Sequence, residues 1–134
     1  MRFRSIVLLA IILTTPAGGV AAERSSDYSA ISVGGLQIEI FSTLSPVAIN
    51  QIHSWQIRIT DDRKQIVANA QVSVTGGMPD HNHGLPTQPQ VTSQLEGGFY
   101  VLEGVRFHMP GRWQIIVSIE LAGEEDRAII DFQL

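Results

Sequence analysis

The stretch Trp113-Gln114-Ile115-Ile116-Val117-Ser118-Ile119 decides how this chain folds. Its bulky apolar side chains at 113, 115, 117 and 119 recur at every second residue, the period of a strand with one face in a core. Pro110-Gly111 ahead of it marks a turn. The same period recurs upstream. Leu36, Ile38 and Ile40 alternate with Gln37 and Glu39; Trp55, Ile57 and Ile59 alternate with Gln56, Arg58 and Thr60; Ala70, Val72 and Val74 run up to Gly76-Gly77. Asp61-Asp62 suits a turn after the second of these runs. Residues 91–94 and 99–102 flank Leu95-Glu96-Gly97-Gly98, a hairpin signal, and a last strand over 127–134 follows the charged turn Gly123-Glu124-Glu125-Asp126.

About seven short strands with turn signals between them, and no helical period beyond the N-terminal leader, define the expected fold class. It is all-β: an immunoglobulin-like antiparallel β-sandwich. Trp55 and Trp113 share the parity of their aliphatic neighbours, so both are expected to be core pillars rather than ligand platforms. Each large apolar side chain fully buried in such a core contributes roughly 1.5–3 kcal/mol. His53 has the parity of Trp55 and reads as a partly buried, hydrogen-bonded structural histidine.

At the N-terminus, Arg2 and Arg4 precede an apolar run from Ile6 to Leu13, which leads through Pro16 and Gly18-Gly19 to Val20-Ala21-Ala22. This is the pattern of a secretory signal peptide, expected over 1–22 with cleavage after Ala22. The run is shorter than the roughly 20 apolar residues of a comfortable membrane span, and only an uncleaved leader would anchor the domain. Residues 23–34 are expected to be a flexible leader able to hold a first strand, and 35–134 the sandwich. The expected location is periplasmic, or otherwise exported.

Removing 1–22 takes two of the nine basic residues and no acidic ones, leaving 7 basic against 13 acidic. That balance argues against nucleic acid and against an anionic membrane surface as partners, since both are recognised through basic patches. With no cysteine in the chain, the fold is held by its core without disulfides.

The candidate site is Gly76-Gly77-Met78-Pro79-Asp80-His81-Asn82-His83-Gly84, joined later by His108-Met109. Apart from Met1, both methionines and three of the four histidines lie in these two clusters. Thioether sulfur suits Cu(I), whereas imidazole also suits Cu(II), Zn and Ni, so a mixed His/Met set points to copper. The expected ligands are His81, His83 and His108, with Met78 as the sulfur donor and Met109 as either ligand or core. Phe107 and Met109 point one way on an extended segment and His108 the other. The competing reading of the loop is a polar turn in which Asp80 and Asn82 cap backbone N–H groups and the histidines are merely solvated.

The motif over 76–84, Phe-Tyr-Val-Leu-Glu-Gly at 99–104 and Phe-His-Met-Pro-Gly-Arg-Trp at 107–113 together resemble the YtkA-like/FixH-like envelope domains, from about Gly35 onward. That resemblance implies a small exported or membrane-anchored immunoglobulin-like sandwich without catalytic activity. Through the FixH-like proteins it further implies a link to copper handling or to assembly of a copper-containing oxidase, with a copper-receiving or respiratory envelope protein as partner. FixH-like proteins usually retain an N-terminal membrane helix, from which a cleaved leader would depart.

Enzymatic motifs are lacking. His81-Asn82-His83 is followed by Leu85-Pro86-Thr87-Gln88 rather than by a cupin-type glutamate, and there is no His-Glu-x-x-His, Gly-x-Ser-x-Gly or cysteine nucleophile. Asp61-Asp62 and Glu124-Glu125 sit in turns, where solvated charge is the simpler account than a glycosidase pair. The sequence thus leaves two functions: a copper-binding or copper-delivery module working through a Met/His-rich loop, or a non-catalytic envelope adaptor that binds another protein.

Overall fold

The computed structural model describes residues 23–134; the leader expected over 1–22 and its cleavage after Ala22 lie outside the described residues. Nine strands follow one another: β1 (Tyr28–Ile31), β2 (Gln37–Ser42), β3 (His53–Thr60), β4 (Gln71–Met78), β5 (His83–Gly84), β6 (Gln90–Leu95), β7 (Phe99–Val105), β8 (Arg112–Leu121) and β9 (Glu124–Gln133). They form two antiparallel sheets, one ordered β1-β2-β3-β7-β6 and the other β5-β4-β8-β9. Among the described residues there is no helix, and so none that could cross a membrane. The chain is an all-β sandwich.

Seven of the nine strands are those read from the alternation. The other two, β1 and β5, are four and two residues long, too short for a period of two to stand out. They exist because longer strands offer them an edge.

In each sheet the pairing register keeps like faces together. Trp113 lies opposite Phe132, Ile115 opposite Ile130 and Val117 opposite both Ala128 and Val74, while Ile38 pairs with Ile59 and Ile40 with Ile57. A slip of one residue would turn each of these sets to solvent. Trp55 and Trp113 are fully buried, as their parity requires. On the outer face of the first sheet the Arg58 guanidinium sits 5.6 Å from the ring centroids of both Phe41 and Phe99 and bonds Glu39 at 2.9 Å, so a cation shields two aromatics from water.

The segment from β1 into the following turn closes one side of the sandwich. Tyr28 packs on Phe132 with centroids 4.5 Å apart, and the Val33 N–H donates to the Arg127 carbonyl at 2.9 Å. The Ser32 hydroxyl donates to Asp126 at 2.5 Å and accepts from the Leu36 N–H, while the Gly34 N–H donates to the other Asp126 oxygen. Burial raises the Asp126 pKa, but hydrogen bonds from Ser32, Gly34 and Arg127 outweigh it and leave the carboxyl below its usual range. The stretch expected as a flexible leader therefore includes a strand tied down at both ends.

The opposite closure lies where β7 hands the chain to β8. Phe107 is fully buried there, with ring centroids 5.9 Å from Trp55, 5.0 Å from Trp113, 5.4 Å from Phe132 and 5.9 Å from His53. His53 is 7 % exposed; its Nδ1 lies 3.1 Å from the Gln51 carbonyl oxygen, whereas its Nε2 is buried without a partner. This is the structural histidine read from the sequence.

Burial lowers the His53 pKa, and the bond to Gln51 offsets part of that shift. The unfolded chain therefore binds a proton that the folded chain refuses once the pH drops below about 6.5. Stability is full above that value and is lost as pH falls toward the folded pKa. We expect the melting temperature to fall between pH 7.5 and 5, and His53→Phe, which keeps an aromatic ring in the stack, to reduce that slope. Thermal melts of both proteins across this range check it; equal slopes would remove His53 as the cause.

Candidate metal site at the end of the sandwich

The histidine cluster occupies the end that Phe107 closes, and two separate pieces of chain bring it together. The first is the β4–β5 hairpin. The His81 N–H donates to the Met78 carbonyl at 3.1 Å to make the turn, and Asn82 adopts φ 51°, a left-handed conformation that asparagine tolerates. Gly77 faces Gly84 across this pairing, and Met78 faces His83. A Cβ on Gly77 would overlap the carbonyl oxygen of His83, so glycine at 77 is what allows β5 to lie this close. Asn82 thus serves the turn, as one reading of the loop expected, but through its backbone; Asp80 instead faces Arg112 at 3.9 Å, an exposed pair that contributes little.

The second piece is the crossover 106–111. The Asn50 N–H donates to the Phe107 carbonyl at 2.7 Å, the Trp113 indole N–H to the Met109 carbonyl at 3.1 Å, and Gly111 and Leu134 exchange backbone bonds. These hold the segment extended, with Phe107 inward, and the His108 ring stands edge-on to Trp113 with centroids 5.6 Å apart.

Together the two pieces place three imidazoles in a row. His83 is 6.3 Å from His81, nearly parallel to it at 27°, and 5.9 Å from His108 at 82°. His81 and His83 are exposed and His108 is half-buried. Nδ1 of His108 is occluded from solvent and has no hydrogen-bond partner among the described residues, as is also true of His53 Nε2, Trp55 Nε1 and Arg106 Nε. Two imidazoles that share one ion through bonds of about 2.0–2.1 Å have ring centres some 5–6 Å apart, so both neighbouring pairs stand close to that spacing. The ligating nitrogens do not yet converge: among the described residues no group of three His, Cys, Asp or Glu is arranged to hold a metal ion. His81 and His83, being exposed, are free to change rotamer.

The methionines sit differently from the histidines. Met78 is 1 % exposed, in the core cluster, with Gly111 so close that a Cβ there would lie 2.7 Å from its Cε. As the residue opposite His83 it shares that residue's face of the sheet, so its sulfur lies beneath the cluster rather than at the surface. Met109 is half-buried against the core. Of the five residues singled out from the sequence, the structure brings the three histidines together at the surface and commits Met78 to packing. Sequence reasoning missed the part played by Trp113 as the wall behind His108, because its strand parity described only its inward face.

Neither curated proteins nor solved structures return a match. The sequence does match the family described as YtkA-like over residues 33–118, a span of more than half the chain that includes both histidine segments and strands from each sheet. The chain belongs to the YtkA-like family.

Proposed function

We propose that this domain is an exported, non-catalytic module that binds or delivers copper through His81, His83 and His108. What carries the reading is the His83 ring, within about 6 Å of two other imidazoles contributed by separate segments, one of which has a ring nitrogen with no partner. A buried donor atom left open beside two rotatable imidazoles suits an ion that arrives, binds and leaves.

Copper, when bound, supplies a soft Lewis-acidic centre that accepts imidazole in either oxidation state and thioether as Cu(I). His108, packed edge-on against Trp113, would be the preset ligand, and His81 and His83 on the short hairpin would supply the other imidazoles. Met109, only half-buried, would be the more accessible sulfur for Cu(I), since Met78 would have to leave the core. The N-terminal pattern Arg2, Arg4, Ile6 to Leu13, Val20-Ala21-Ala22 supports export to the periplasm or an equivalent compartment. The partner in this reading is an envelope protein that receives copper, such as a respiratory oxidase under assembly.

A chelator-competed titration with Cu(I) and Cu(II) tests this. We expect stoichiometric binding tighter than micromolar, lost in the His81→Ala/His83→Ala double variant while the fold is kept. Binding weaker than that, about −8 kcal/mol, or equal binding by the variant, would overturn the copper reading in favour of an adaptor.

Gly77→Ala gives a second measurement on the same site. Displacing β5 through the overlap with His83 should weaken copper binding by roughly tenfold or more while costing about 1 kcal/mol of stability. Copper titration and thermal melting of this variant check the expectation; unchanged affinity would mean that the hairpin does not set the site.

A further inference from the structure

The end of the sandwich away from the histidines carries a separate feature. A groove of about 1110 Å³ runs there between the turn after β1 and the far ends of β4, β8 and β9. Its floor includes the half-buried Leu36 and Val72, and its rim holds Val33, 83 % exposed, and Leu121, 36 % exposed. A valine left so open beside further apolar surface is exposed at a cost that a covering partner would recover.

The charge around this groove is predominantly negative, with Glu120, Glu124, Glu125 and Asp126 against one arginine, Arg127. Cross-strand pairing sets Glu120 directly opposite Glu125, and Glu124 opposite Leu121. Like charges in directly opposed positions destabilise a sheet. Among the described residues no Lys or Arg lies within 4 Å of any of these three carboxylates. Asp126 is already satisfied by the Ser32 hydroxyl and the backbone N–H groups of Gly34 and Arg127, so the excess negative charge belongs to the three glutamates, which outnumber the Arg127 guanidinium. No set of three carboxylates here is arranged to hold a metal ion.

We propose that this groove is a docking surface for a segment of another protein that carries lysine or arginine alternating with aliphatic side chains. The aliphatic side chains cover Val33, Leu36 and Leu121, and the cations lie over Glu120, Glu124 and Glu125 and relieve their repulsion. A cationic partner also follows from the charge balance of the molecule, since complementary potentials steer association and exclude acidic competitors. The surface does not depend on the copper reading, because it lies at the other end of every strand.

The probe is a synthetic octapeptide of alternating lysine and leucine, with an otherwise identical glutamate/leucine octapeptide as control, each titrated into the isotopically labelled full chain and followed by amide chemical shifts. We expect the lysine peptide to bind saturably, with shifts confined to residues 33–36, 71–73 and 118–127, and with affinity that falls as salt is raised. The glutamate peptide should leave these amides unmoved. Glu120→Gln/Glu125→Gln should weaken binding by roughly tenfold or more, with a melting temperature equal to or above that of the parent, because the substitution removes a repulsion at exposed positions.

Shifts centred elsewhere, equal response to both peptides, unchanged affinity in the glutamine variant, or no binding would each overturn the proposal. Concentration-dependent shifts at these residues without peptide would overturn it in favour of a second copy of the chain as occupant.

Discussion

The architecture depends on one aromatic contact set, that of Phe107 with Trp55, Trp113 and Phe132. Phe107 lies in neither sheet. It hangs from the crossover between β7 and β8, where the chain leaves one sheet and enters the other, and its ring fills the space between their inner faces. Two stacked sheets bury their flanks easily but leave their ends open to water; a large ring in the connecting segment is an economical stopper. With Phe107 turned inward, the extended backbone turns His108 away from the core. Fold and site are thus joined through one residue step.

That coupling explains why the histidines meet at all. His81 and His83 belong to the second sheet through the β4–β5 hairpin, whereas His108 hangs from the crossover leaving the first. Neither segment alone holds more than a pair of imidazoles. Only a finished sandwich holds three, so the cluster reports on tertiary structure in a way that a linear metal-binding motif would not.

Much of this was legible in the sequence, for physical reasons. Period-two alternation in β2, β3, β4 and β8 is strong because each strand has one face in a core and one in water. The same cause left β5 unread and β1 no more than a possible first strand within 23–34: they are held by neighbours' edges and side-chain bonds, such as that of Ser32 to Asp126, which have no local signature. The clustering of the histidines could be read from composition, and the inward set of Phe107 from parity. Met78 was misleading because its soft sulfur attracted a ligand role, whereas its parity with Val74 had already assigned it to the interior. No pattern in the chain could show that Gly77 is small for the sake of the His83 carbonyl.

The seam between the β1 segment and β9 bears on the order in which the domain closes. Tyr28, Ser32 and Val33 join partners at 126–132, close to the other end of the sequence. The earliest-made piece of the sandwich therefore has to wait for nearly the whole remaining polypeptide before it can settle. A barrier set by contacts so distant along the chain slows folding, so the two sheets can pair their own strands before this seam is made. The seam is the last part of the sandwich to close.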